Sequence, residues 1–224
     1  MAILKLLISD NLYLRDPQET ELGRKIVEES IALIDTLGFE GFTFKKLANA
    51  IESTESSIYR YFENKHRLLN YLIAWYWNWV EYKIDFGIQN IDDPAQKLDV
   101  ALRILTEKKQ CDATFPQIDE EALYRIVITE SDKVYHTKNV DSHNKEGLFR
   151  GLKSITTKVA GFVKSINPDF AYPHSLVSTV LQAAHHQVFY AQHIPSLTDC
   201  AVKEDCYVLN GHFIKQLVFK SISA

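Results

Sequence analysis

The stretch Thr43–Lys65, TFKKLANAIESTESSIYRYFENK, constrains this 224-residue chain more than any other. Phe44, Leu47, Ala48 and Ile51 recur at helical spacing, and Thr43 just before them carries a hydroxyl suited to capping a helix start. Glu52-Ser53-Thr54 breaks the period. A second helix is predicted from about Glu55 to Phe62, with Ile58, Tyr61 and Phe62 available for packing. Asn64 is placed to cap a third helix beginning near Lys65. Two short helices at a steep angle, the second with a polar N-terminal face, make a shape that fits the major groove of DNA. An ordinary helical hairpin in an all-α protein is the competing reading.

The rest of the chain repeats the helical period. Pro17 to Leu37 reads as a first full helix with Ile26, Val27, Ile31, Ile34 and Leu37 as its stripe, and Gly38 suits the backbone that ends it. Lys65 to about Phe86 is a longer helix carrying Trp75, Trp77 and Trp79. Alternate residues diverge by about 200° on a helix, so this one is contacted on more than one side or lines a cavity. Asp92-Asp93-Pro94 starts the next, running to Lys109, and Cys111 to Asp119 reads as a connection. A helix from Ile118 or Glu120 to Tyr135, a polar loop over Thr137–Asn144, and helices over Lys145–Ile166, Tyr172–His193 and about Cys200–Ile222 complete the reading. No run alternates as a strand does. The expected fold is all-α with about nine helices: an arm over residues 1–16, a three-helix head over 17–64 and a larger helical body over 65–224.

Composition narrows the function classes. Hydrophobic residues make up 46% of the chain and charged ones 24%, ample for a globular core. No run reaches the roughly 18 apolar residues of a membrane span, and the apolar start, Ala2 to Ile8, is too short for a signal peptide and reads as an arm folding onto its own or a partner subunit, with a disordered arm as the alternative. Cys111, Cys200 and Cys206 are odd in number and form no CxxC, which favours reduced thiols in a cytoplasm. There is no Gly-rich phosphate loop, GxSxG or HExxH, so no enzyme and no cofactor is expected. His185 and His186 point about 100° apart on a helix and do not chelate as a pair, so with His193 they make no metal site. The head is acidic: residues 1–65 hold eight Lys and Arg against eleven Asp and Glu. Phosphate contact supplies much of DNA affinity, so this opposes DNA binding unless the charges are sorted. Lys45, Lys46, Arg60, Lys65 and Arg67 do cluster around the two-helix motif.

The order Thr43, Ala48, Ser57, Ile58, Tyr59, Tyr61, Phe62, Lys65, Leu68, Leu69, preceded by the Gly38-Phe39-Glu40-Gly41-Phe42 exit, resembles the DNA-binding signature of the TetR family of transcriptional regulators. The resemblance covers roughly Glu21 to Leu69. It implies that Thr43, Ser57, Tyr61 and Lys65 hold phosphates, that Glu55, Ser56 and Tyr59 face base edges, and that Lys45, Lys46 and Arg60 add backbone contacts. Two positions depart from the pattern. Glu52 stands where the turn usually has Gly, which asks either for a non-Gly residue in an uncommon backbone region or for a changed turn. Glu55 stands where a neutral or basic residue is common.

The same resemblance implies a ligand-responsive repressor: a homodimer joined through its last two long helices, bound to operator DNA, with a small and mainly apolar effector in the body. Trp79, Tyr82 and His185 are the expected pocket residues. Aromatic side chains dominate buried area in any core, so each has an ordinary packing role as its alternative. A helical protein that keeps the fold and acts through protein partners, having lost DNA binding, is the other function the acidic head allows.

Overall fold

Each helix of the head begins at a side chain that satisfies a free backbone N–H. In the computed structural model, which describes residues 5–200 and 205–223, Thr20 accepts from Gly23 to start α1 (Glu21–Gly41), Thr43 accepts from Lys46 to start α2 (Phe44–Ala50), and Thr54 accepts from Ser57 to start α3 (Glu55–Tyr59). Asn64 Oδ1 accepts from the Arg67 N–H at 3.0 Å at the head of α4 (Lys65–Ile88), as its position predicted. Pro17 opens a 3₁₀ turn, Pro17–Glu19, instead of the first turn of α1. The cap of α1 is Thr20, three residues beyond Pro17.

Seven further helices follow: α5 (Pro94–Thr106), α6 (Glu120–Glu130), α7 (Asp132–Tyr135), α8 (Val140–Lys145), α9 (Arg150–Ile166), α10 (Pro173–His193) and α11 (Cys206–Ile222). The expected all-α class holds, with no strand among the described residues, and eleven α-helices stand where about nine were expected. Two causes account for the difference. The Glu120–Tyr135 helix breaks at Ser131, whose hydroxyl turns back onto the Val127 carbonyl at 2.5 Å. The polar run 137–144 is partly helical, as α8. Residues 201–204, inside the expected Cys200–Ile222 helix, lie outside the described residues, as do residues 1–4 of the arm.

Packing divides the chain into two units. One holds residues up to Trp79 with Lys109–Arg150. Its core holds the apolar stripe of α1 (Ile26, Val27, Ile31, Ile34) against α2 and α6, together with the buried residues of α3 and the first half of α4. Trp75, Trp77 and Trp79 are all at most 3% exposed, so α4 is covered on opposite sides here. Trp75 meets Phe115 edge-on, and the Trp77 indole donates to the Tyr135 hydroxyl at 2.7 Å. The described part of the arm folds onto this unit: Leu6 and Ile8 are buried, Leu6 exchanges two hydrogen bonds with the Gln18 side chain, and the Leu14 N–H donates to the Tyr61 carbonyl.

The other unit holds Val80–Lys108 and the described residues from Gly151 on. Here α10 buries Val177, Val180, Leu181, Ala184 and Val188 inside its own protomer. Asn210 of α11 donates to the Ala184 carbonyl at 2.8 Å, and Gly211 lets α11 approach α5, since a Cβ there would sit 3.2 Å from the Thr106 hydroxyl. These α10 residues therefore serve the protomer's own core. The exposed large apolar residues of α11 are Val208 and Phe213.

Candidate nucleic-acid interface

The turn between α2 and α3 is a Schellman closure. The Ser53 N–H reaches back to the Ala48 carbonyl at 2.8 Å and the Glu52 N–H to the Asn49 carbonyl at 3.2 Å. This closure puts the residue after the C-cap in the left-handed region, and Glu52 has φ 54°, the one positive-φ non-glycine among the described residues. The uncommon backbone expected at this position is present. Lys25 of α1 clamps the turn by donating to the Ile51 carbonyl at 3.3 Å.

The apolar sides of the two helices are sunk: Phe44, Leu47, Ala48, Ile51 and Ile58 are at most 5% exposed. Thr43, Lys45, Lys46, Glu55, Ser56, Tyr59 and Arg60 lie on the exposed side, and Ser57 is half-buried beside them. Tyr59 is held by the edge of its ring on Phe44, centroids 5.1 Å apart. Thr54 ties its hydroxyl to those of Ser56 and Ser57 at 2.8 and 3.0 Å. Lys46 is engaged with the Gly41 carbonyl at 2.7 Å, whereas Lys45 and Glu55 have no hydrogen-bond or ion-pair partner among the described residues.

Two predicted phosphate contacts sit elsewhere. Tyr61 is 1% exposed, and its hydroxyl is shared with that of Thr20 at 2.7 Å, because its position on the inner side of the α3 exit carries it into the head's core. Lys65 turns its ammonium to the Phe39 and Phe42 carbonyls at 3.0 and 3.4 Å and over the Phe39 ring. It satisfies the carbonyls freed where α1 breaks at Gly38, φ 68°.

Of the predicted pocket residues, Trp79 lies in the first packing unit and Tyr82 and His185 lie in the second. Trp79 is buried, stacked on Trp75 with centroids 6.4 Å apart. Tyr82 is half-buried and stacks on the exposed Phe86. His185 is half-buried on α10. A hollow of about 320 Å³ beside α5 and α11 is lined by Leu102, Thr106, Tyr207, Val208 and Gly211, with Asp99, Arg103, His212 and Lys215 at its rim. A smaller one lies under the arm. Among the described residues no three His, Cys, Asp or Glu side chains are grouped to hold a metal, and no helix is long and apolar enough to cross a membrane.

Residues 26–72 match the family model described as bacterial regulatory proteins, tetR family. Comparison with curated proteins by sequence gives no match. Several solved structures share the fold over most of their length. The fatty acid degradation regulator FadR from Bacillus halodurans is 16% identical with a TM-score of 0.63, over 87% of this chain and 93% of that one. The ketosteroid transcriptional regulator KstR2 of Mycobacterium tuberculosis is 11% identical with a TM-score of 0.57, over 90% and 95%. AibR, solved with isovaleryl coenzyme A and operator DNA, is 16% identical with a TM-score of 0.55, over 88% and 98%. At these identities the likeness is one of fold. Residues 26–72 thus match the model of the tetR family of bacterial regulatory proteins, and the chain as a whole shares the fold of these solved regulators.

Proposed function

We propose that the chain is a ligand-responsive transcriptional repressor. It acts as a cytoplasmic homodimer and releases its operator when a small, mainly apolar effector binds the body, residues 65–224. The observation that carries the DNA-binding half is the capped α2–α3 pair, whose apolar sides are buried and whose exposed face gathers Thr43, Lys45, Glu55, Ser56, Tyr59 and Arg60. Ser57 and Lys46 extend that face, while Tyr61 and Lys65 brace it from inside. A single such head reads few base pairs, so two copies on half-sites a whole number of DNA turns apart give the length an operator needs. The effector half is supported by likeness to AibR, whose structure holds isovaleryl coenzyme A together with its operator. An effector shifts the equilibrium only by its differential affinity for the DNA-bound and free arrangements.

Glu52 and Glu55, exposed at the turn and at the start of α3, favour a second reading in which the head has lost DNA and meets a protein partner. A gel-shift titration with the DNA upstream of the chain's own gene, at low and physiological salt, separates the two. Saturable binding that competitor DNA of unrelated sequence does not remove supports the repressor. Absence of any shift at low salt, where phosphate attraction is strongest, sinks it.

A further inference from the structure

The connection after α8 meets both the arm and the first turn of α4, all within the first packing unit. Glu146 is the meeting point. Its carbonyl accepts from Ser9 Oγ at 2.6 Å and from Asn11 Nδ2 at 3.4 Å. Its carboxylate accepts from Arg67 through both oxygens and from the Ser142 hydroxyl at 3.0 Å. Glu63 lies 3.7 Å from the same guanidinium. Gly147 follows with φ 89°, and a Cβ there would sit 3.0 Å from Ser9 Oγ, so arm and connection fit closely. The arm in turn holds the exit of α3, through the Leu14 N–H on the Tyr61 carbonyl at 2.8 Å.

His143, half-buried on α8, stands beside this meeting point, and its buried Nδ1 has no hydrogen-bond partner among the described residues. A proton taken up by the ring leaves an N–H there, and a buried donor without an acceptor is costly. The charged groups that act on His143 are Glu146 on its own segment and Arg67 on α4; Glu146 favours the proton but is already held by Arg67. The arm brings the uncharged Ser9 and Asn11, and Asp10 between them is engaged by the Tyr13 hydroxyl at 2.5 Å. Burial first, and the Arg67 charge with it, outweigh Glu146 and hold the His143 pKa below its usual 6.5. The Arg67 hydrogen bond holds the Glu146 carboxyl low as well. Both groups therefore take up protons when these contacts open. The closed arrangement is fully favoured above about pH 6.5 and loses ground as pH falls through that value, and Glu146 adds the same sign below about pH 4.5.

We propose that Arg67, Glu146 and His143 form an acid-operated latch. At neutral pH it pins the arm and the first turn of α4 to the α8 connection; mild acid frees all three and slackens the hold on the exit of α3. The latch needs neither DNA binding nor an effector in the body, and its test contains neither.

Hydrogen–deuterium exchange of the chain, read by mass spectrometry at about pH 7.5 and 5.5 and corrected for the intrinsic effect of pH on exchange, follows the latch in peptides covering residues 9–14, 65–72 and 140–148. Protection in the three is expected to fall together at the lower pH, by up to about tenfold. That is the ratio given over those two pH units by a histidine with its usual 6.5 when open and no charge when closed. Protection in α10, which lies in the other packing unit, is expected to hold. Glu146→Gln loosens the three segments already at about pH 7.5. His143→Phe keeps a ring in place with no proton to take up, and removes the response to acid. Should Glu146→Gln fail to fold by circular dichroism, His143→Phe decides alone. Unchanged protection at the lower pH, an equal fall in α10, no loosening in a folded Glu146→Gln, or a full acid response in His143→Phe overturns the proposal.

Discussion

The backbone N–H of Phe39 donates to Glu130 Oε1 at 3.1 Å, across a separation of 91 residues. The positive φ of Gly38 turns that N–H out of the α1 ladder, and Glu130, 8% exposed at the end of α6, accepts it. The Glu130 charge is met by Lys133 at 2.8 Å, which also reaches Glu40 at 3.0 Å. Lys133 holds the Glu40 carboxyl below its usual range. Lys65 supplies the donor for the Phe39 carbonyl. The break in α1 thus has its freed groups satisfied from α4 and α6, which fixes where the short helices of the head begin.

Replacing Glu130 by Ala strands the Phe39 N–H in a buried place. The expected loss is about 1–3 kcal/mol, the cost of leaving such a donor unsatisfied. Glu130→Gln keeps a carbonyl oxygen for Phe39 and should recover part of it. Urea unfolding of the three proteins measures this. An Ala variant with the midpoint of the parent would mean that the contact contributes nothing.

The turn at Glu52 predicts a gain. A side chain in the left-handed region costs about 1–2 kcal/mol, and Gly removes that cost at the price of a more flexible unfolded chain. Glu52→Gly should therefore stabilise by roughly 0.5–1 kcal/mol. It also removes an exposed acid beside the proposed DNA-binding face, so affinity for any DNA should rise and its dependence on salt steepen. A thermal melt that moves down would show that the Glu52 side chain makes a compensating contact.

Much of this architecture was legible because local physics dictates it. The caps at Thr43 and Asn64, the long α4 and the strain at Glu52 each follow from one or two residues and their neighbours. What was not legible depends on partners far along the chain. Tyr61 and Lys65 both read as phosphate contacts until Thr20 is found beside the Tyr61 hydroxyl and Gly38 frees the carbonyls that Lys65 serves. The apolar residues of α10 fill the protomer's own core, and the sequence alone does not separate a core from an interface there, because both need the same apolar spacing. Thr20, followed by Glu21 and an apolar period from Ile26, was the signal that could have corrected the start of α1.

Glu120 predicts a pH dependence. It is 0% exposed in the first turn of α6; one oxygen accepts from the Asp112 N–H at 3.0 Å and the other has no partner among the described residues. Burial raises its pKa from 4.5 to about 7, with the nearby charges of Asp112 and Asp119 acting in the same direction. The folded state then holds this proton more tightly than the unfolded one. Its contribution is therefore most favourable below about pH 4.5, falls as pH rises to about 7 and is constant above. Glu120→Gln keeps an acceptor for Asp112 and has no charge to bury. Melting temperatures should favour the variant at about pH 8 and converge at about pH 4.5. A difference that does not change with pH would mean that Glu120 ionises as freely as an exposed carboxylate.

Glu55 tests whether the head reads sequence. It is exposed in the first turn of α3, unpartnered among the described residues, with Ser56, Tyr59 and Arg60 on the same face. At a helix N-terminus a carboxylate gains about 0.3–1 kcal/mol from the dipole when exposed. Against DNA it loses water and approaches a row of phosphates, which opposes binding unless it accepts from a cytosine amine. A good base contact is worth about 1–3 kcal/mol of discrimination. The two roles give opposite signs. If Glu55 reads a base, Glu55→Gln weakens the natural site and relaxes preference at one position of each half-site. If it only repels, the same change tightens binding to all sequences alike. We expect the first, because the neighbouring hydroxyls and Tyr59 are arranged on the exposed side as base and phosphate contacts require. Fluorescence-anisotropy titrations of both proteins on the natural site and on its single-base variants decide between them, and uniform tightening by Glu55→Gln would assign the residue to repulsion.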